Sequence, residues 1–290
     1  DSSLSAGDYL IWRQKIEGIN LQQLKYGTSS AEKLTLSFWV RSAKTGTYIV
    51  EFYNNNSAGI KLQSQSYTIS SADTWEKKTI TIDGDTALAF QNTTDAELLV
   101  YWWLAAGSTY SGGGSLNTSW NSSVANNTRA VGVVNLADST SNDWYITGVQ
   151  LEVGDKATPF EHLSFGEELS LCHRYCFAAC TEGEAGSGAS NVQIGMGSFY
   201  TDTQVETVVH FPTTMRSSPT LLANSGSSYF ISEANAGGQG FNSWTGVYGA
   251  GKSQKLIYTS GTISDFNNQG MATRLAVQNS SAYVIFEAEL

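Results

Sequence analysis

Apolar and polar side chains alternate along much of the first half of the chain. In Leu34 to Arg41, Leu34, Leu36, Phe38 and Val40 are interleaved with Thr35, Ser37, Trp39 and Arg41, the period-two pattern of a strand with one face in a core and one in water. The alternation recurs in Tyr48, Val50 and Phe52, in Ile80 and Ile82, and in Leu98, Val100, Trp102 and Leu104, which puts Leu99, Tyr101 and Trp103 on the opposite face. A further strand, Trp144 to Val153, is expected to place Tyr145, Val149, Leu151 and Val153 on one side. Turn signals separate these segments at Lys44-Thr45-Gly46, at Asn54 to Asn56 and at Asp83-Gly84-Asp85. A Gly-, Ser- and Asn-rich stretch from Ala106 to Asp143 interrupts them. Its length and its two large aromatics, Tyr110 and Trp120, predict an ordered surface loop.

The pattern changes after Val153. Pro159 has no N–H to donate and ends any ladder. Ser164 and Glu167 then stand in the S-x-x-E spacing of a capping box, which opens a helix. Helical spacing puts Leu169, Cys172, Cys176 and Ala179 on one apolar face of that helix. A Gly/Ser-rich break, Gly183 to Ser190, leads back to strand patterns: Val192, Ile194 and Met196, then Val205, Thr207, Val209 and Phe211, and finally Ala282 to Leu290. The expected architecture is all-β, with two β-sandwich domains, jelly-roll-like, joined by a short helix. The divisions fall at residues 1–163, 164–182 and 183–290.

Composition agrees with that class and narrows the partners. Gly 28, Tyr 14, Phe 12 and Trp 8 in 290 residues, with only 14% charged residues, suit sheets rather than a solvated helical bundle. A formal net charge of -10, with no basic stripe to offset it, argues against nucleic acid as a partner. No apolar run is long enough to span a bilayer, so no membrane partner is expected. The first residues lack a signal-peptide pattern, and the sequence opens at Asp1 without an initiator Met, as a fragment of a longer chain would. Cys172, Cys176 and Cys180 are odd in number and four apart, which does not suit a disulfide framework. They read as buried apolar cysteines from a reducing compartment, with a three-thiolate site including His173 as the less favoured alternative.

Three segments look familiar together: "WYITGVQLEVGDKATPFEHLSFGEELSLCHRY" (Trp144 to Tyr175), "LTLSFWVRSAKTGTYIVEFY" (Leu34 to Tyr53) and "SYTISSADTWEKKTITIDGDT" (Ser66 to Thr86). They resemble a module found in tail-fibre and other structural proteins of tailed bacteriophages, marine ones especially. The resemblance covers about the first 175 residues, and "FPTTMRSSPTLL" (Phe211 to Leu222) is similar to a shorter phage-fibre phrase. It implies a jelly roll of the carbohydrate-binding-module type in a virion component exposed to the host surface and made in the host bacterial cytoplasm. The partners it implies are a host surface glycan, other phage virion proteins and further copies of the chain in a homotrimer.

Sugars are held by exposed aromatic faces beside amide, carboxylate and hydroxyl groups. Trp103 and Tyr101 on the outward side of their strand, Trp39 on another, Trp120 and Tyr110 in the long loop, and Trp244 in the glycine-rich second half are the candidate ligand-binding residues. Two alternatives stay open: that the loop covers Tyr101 and Trp103, and that Tyr110 and Trp120 anchor the loop. No G-x-S-x-G, H-E-x-x-H or P-loop motif occurs, and no short periodic repeat suggests a β-helix depolymerase. No enzymatic activity and no cofactor are therefore expected. The alternatives left open are a structural fibre or capsid-associated scaffold without a ligand and, less favoured, a polysaccharide-cleaving tailspike, since the acidic residues are numerous enough to supply a glycosidase carboxylate pair. A structural calcium drawing on Glu17, Asp138, Asp143 and Glu152 is left open by the acidic residues.

Overall fold

The computed structural model describes residues 3–122, 125–186, 190–234, 237–249, 251–260, 263 and 270–289. The chain divides into two compact units, Asp1–His162 and Leu163–Glu289. Both are built from antiparallel sheets, so the all-β class stands.

In the first unit, β1 (Tyr9–Glu17), β6 (Ala96–Ala106), β3 (Gly46–Asn56) and β4 (Gly59–Ile69) form one sheet in that order. A second sheet is ordered β5 (Glu76–Ile82), β2 (Leu34–Ser42), β7 (Trp144–Val153). The core between them contains the alternating residues read from the sequence: Leu36, Phe38 and Val40 of β2, Ile80 and Ile82 of β5, Tyr48, Val50 and Phe52 of β3, and Leu98, Val100 and Trp102 of β6. Burying each of the larger side chains contributes about 1.5–3 kcal/mol, so facing rows of this kind supply much of what orders the sheets.

The expected phase of β7 fails at one point. Ser37 pairs with Gln150 but Trp39 pairs with Thr147, so an extra residue is inserted there. Gly148 sits in it at φ 57°, a left-handed conformation that costs a residue with a Cβ about 1–2 kcal/mol. A β-bulge moves the following residues to the other side of the strand. Ile146 and Leu151 therefore both pack on the core, while Tyr145 lies on the outer face across from Arg41. Tyr145 does not share a side with Leu151.

The second unit begins with helix α2 (Phe165–His173), where α1 is the single turn Ser108–Ser111 of the first unit. The capping box of α2 forms as expected: Glu167 N–H donates to Ser164 Oγ, and Ser164 N–H donates to Glu167 Oε2 at 3.0 Å. The helix then stops at His173, and Cys176–Cys180 is a strand, β8, paired with β17 (Val284–Glu287). Pairing with β17 and the contacts of the Phe177 ring with Phe211 and Phe286 override the helical spacing of the cysteines. Cys172 and Cys176 are consequently exposed, and of the three only Cys180 is buried.

Sheet order in the second unit is β11 (Thr220–Ala223), β17, β8 on one side. On the other it is β13 (Gly237–Phe241), β12 (Phe230–Ala234), β16 (Ala272–Val277), β9 (Val192–Phe199), β10 (Gln204–His210), β15 (Gln254–Ser260), β14 (Gly246–Tyr248). Val205, Val209, Phe230, Ile257, Leu275, Val284 and Phe286 fill the space between. A register shift where Leu275 pairs with Gly195 and Ala276 with Gln193 breaks the expected phase of β9. Met196 is turned outward, 64% exposed, rather than sharing the core side with Val192.

Candidate functional site

The sequence places Leu99, Tyr101 and Trp103 on the outer face of β6, and there they are, but that face is covered. Tyr110, Leu116, Ala130 and Val133 of the long loop lie over the sheet β1-β6-β3-β4, where Ile49, Leu99, Tyr101, Trp103 and Ala130 form a second buried cluster. Trp103 is 2% exposed and Tyr101 9%, so neither presents a ring face to a ligand. An ion pair pins the cover. Arg129 Nε donates to Glu51 Oε2 at 2.8 Å and Nη2 to Oε1 at 2.6 Å, and its guanidinium lies 5.5, 5.4 and 6.0 Å from the ring centroids of Tyr53, Trp103 and Tyr110. Burial pushes the Glu51 carboxyl up, and the Arg129 guanidinium opposes the shift.

The other loop and second-unit candidates also make packing contacts. Trp120 donates its indole N–H to the Asp83 carbonyl at 2.8 Å and meets Tyr26 edge-on. Tyr110 packs on Trp103, with centroids 5.3 Å apart. Trp244 packs against Phe230 and Phe241 and borders a cleft of about 310 Å³ with Thr220, Leu221 and Val247. These three aromatics are half-buried and each packs against other rings.

Trp39 is the exception. Its neighbours on β2 alternate into the core, so its ring stands on the outer face of the sheet β5-β2-β7 with 42% of its surface exposed. Directly across from it are Lys77 of β5 and Thr147 of β7, both exposed. One pair of residues further along β2 is Arg41. Its Nη2 donates to Asp73 Oδ1 at 2.9 Å, its Nε to the Asp73 carbonyl at 3.0 Å, and its guanidinium lies 5.4 Å from the Tyr145 ring centroid. The segment after β7 folds back along the same face. Glu161 N–H donates to Gln150 Oε1 at 2.8 Å, and Thr158 donates to Glu152. This brings up Phe160, 43% exposed. A Cβ on Gly148 would lie 3.3 Å from Trp39 Cδ1 and 3.9 Å from Phe160 Cδ2, so the two rings border one glycine floor.

The result is an open shelf: an indole, two flanking aromatics, a clamped guanidinium, a lysine and a threonine hydroxyl. Its chemistry is that of stacking on C–H surfaces with hydrogen-bonding groups at the rim. Trp39 and Arg41 were legible as outward residues, whereas Tyr145, Phe160, Asp73 and Lys77 were not singled out. The mid-strand Gly148 was the available signal for Tyr145, since a glycine inside a strand marks a bulge.

Two expected outcomes follow from this geometry. Gly148→Ala should lower the stability of the first unit by about 1–2 kcal/mol, because alanine is strained at that φ; urea denaturation that shows no change would contradict the assignment. Hydrogen bonds from Gln150 and Thr158 hold the Glu152 carboxyl below the usual range. A depressed folded-state value means that its contribution is present above the ordinary carboxylate pKa and lost as pH falls through the folded value. Acidification should therefore loosen residues 154–162 before the core melts, and Glu152→Gln should remove that step. Hydrogen exchange of the Thr158 and Glu161 amides between neutral pH and pH 3 measures it.

The carboxylates considered for calcium do not converge. Glu17 is buried, Asp138 pairs with Lys44, Asp143 accepts from Ala43 N–H, and Glu152 accepts from Thr158. Among the described residues no group of three or more His, Cys, Asp or Glu is placed to hold a metal ion, and no helix is long and apolar enough to cross a membrane. In the second unit the exposed Tyr248 ring stacks on the half-buried Tyr258 ring, with centroids 4.5 Å apart. No family model and no curated protein matches the sequence.

Proposed function

We propose that this chain is a glycan-binding attachment component of a phage virion, part of a tail fibre or a related structure, and that the Trp39 shelf is where it meets a host surface sugar. The observation that carries the binding half of the reading is an indole left exposed on a sheet face whose surroundings are otherwise held in place. Arg41 is fixed by Asp73 and Tyr145, and Phe160 by the Gln150 and Glu152 contacts. A side chain already held in its bound position loses little conformational entropy when a ligand arrives. The virion half rests on the resemblance of the segments quoted above to phage fibre modules, as do docking on other virion proteins and assembly as a homotrimer.

The reading is of binding without chemistry. A glycan array probed with the chain should give selective hits that disappear with Trp39→Ala. No hits, or hits indifferent to Trp39, would overturn the assignment in favour of a scaffold, and release of reducing ends from a bound polysaccharide would turn it toward an enzyme. Light scattering should give three subunits, and a monomer would remove the fibre component of the proposal.

A further inference from the structure

We infer that the shelf selects an acidic sugar, with Trp39 taking the face of the ring and Lys77 receiving its carboxylate. This rests on the proposed function and narrows it to a substrate class. The cations on and around this face differ in whether they are paired. Arg41 is committed to Asp73, Lys33 to Asp83 and Lys78 to Glu76. Lys77 forms no ion pair among the described residues, although it is exposed and stands directly across from Trp39 in the ladder. Residues opposite one another in antiparallel strands have Cβ atoms about 4.5–5.5 Å apart, so the lysine stem starts beside the indole and its ammonium is within reach of the rim of anything stacked there. Glu152 is near enough to feel the Lys77 charge, but Gln150 and Thr158 already occupy its oxygens.

An ammonium takes a carboxylate as a point charge, without the planar fork geometry that a guanidinium imposes. The pairing therefore tolerates the ring tilt that stacking on a single indole allows. The net charge of the chain, -10, repels an acidic ligand at a distance, so the selectivity must come from contact at Lys77 rather than from long-range steering. A neutral sugar would stack on Trp39 equally well and leave Lys77 in water.

The test is an array carrying uronate-containing glycans, their carboxyl-reduced forms and neutral glycans, followed by calorimetry on the best pair. Reduction of the carboxyl should weaken binding about tenfold, the size of one hydrogen bond to a charged group. Lys77→Gln should erase that difference, and Lys77→Arg should keep most of it. Equal affinity for the two forms, a preference that survives Lys77→Gln, or hits confined to neutral glycans would overturn the inference while leaving the shelf a sugar site, provided that Trp39→Ala still abolishes binding. An array without hits, or binding indifferent to Trp39, overturns both.

Discussion

Arg129→Ala is expected to destabilise the first unit by about 3–5 kcal/mol, because it leaves a buried carboxylate without its partner. Glu51 is fully buried and its two oxygens accept from one guanidinium. The Arg129 guanidinium lies among the rings of Tyr53, Trp103 and Tyr110. Removing the cation costs more than a surface ion pair, which is worth about 0–1 kcal/mol, since the carboxylate can neither reach water nor keep its charge cheaply. Guanidinium denaturation should show the loss as a lower midpoint. Exposure of Tyr101, Trp103 and Tyr110 should also increase dye binding and proteolysis between residues 107 and 143. The double substitution Glu51→Leu with Arg129→Met removes both charges and should recover most of the loss, because replacing a buried pair by apolar side chains is often neutral or stabilising. A single variant as stable as the parent, or a double variant worse than either single one, would contradict a latch of this kind.

Trp39→Ala should have the opposite profile. The side chain is 42% exposed and supports none of the core rows, so stability should stay within about 0.5 kcal/mol of the parent. Affinity for an array-positive oligosaccharide should fall roughly thirtyfold, the loss of about 2 kcal/mol that defines a binding hot spot. Trp103→Ala provides the contrast: it empties a buried site and should cost about 3–5 kcal/mol of stability. Any loss of binding in that variant would report unfolding, not a missing contact. Calorimetry paired with denaturation separates the two profiles, and a Trp39 variant that binds normally would remove the shelf from consideration.

Much of the fold was legible because period-two burial is a local property. Leu34, Leu36, Phe38 and Val40 lie in the core as their alternation requires, as do Leu98, Val100, Trp102 and Leu104. The Ser164–Glu167 capping box also forms as its spacing implies. What failed depended on pairing or on cover. Register shifts at Gly148 and beside Gly195 displaced Tyr145 and Met196 to faces that a strict period would not give them. Cys176 to Cys180 has helical spacing with Cys172 yet is recruited by β17, a partner more than 100 residues away. For Tyr101 and Trp103 the side of the strand was legible, but whether that side met water was not. The answer lay in Arg129 meeting Glu51 across 78 positions, a contact that no local pattern encodes.

The candidate site divides in the same way. Outward Trp39 and Arg41 follow from the alternation of β2, whereas Asp73, Tyr145 and Phe160 reach them only through a turn, a bulge and a folded-back segment.

The most direct test is a titration of an array-positive oligosaccharide into the labelled chain while the indole N–H resonances of its eight tryptophans are followed by NMR, with Trp39 assigned from Trp39→Phe. The Trp39 indole should move and saturate, while those of Trp102, Trp103, Trp120 and Trp244 stay in place. Saturating shifts at Trp120 or Trp244 with Trp39 silent would place the ligand elsewhere and contradict the account.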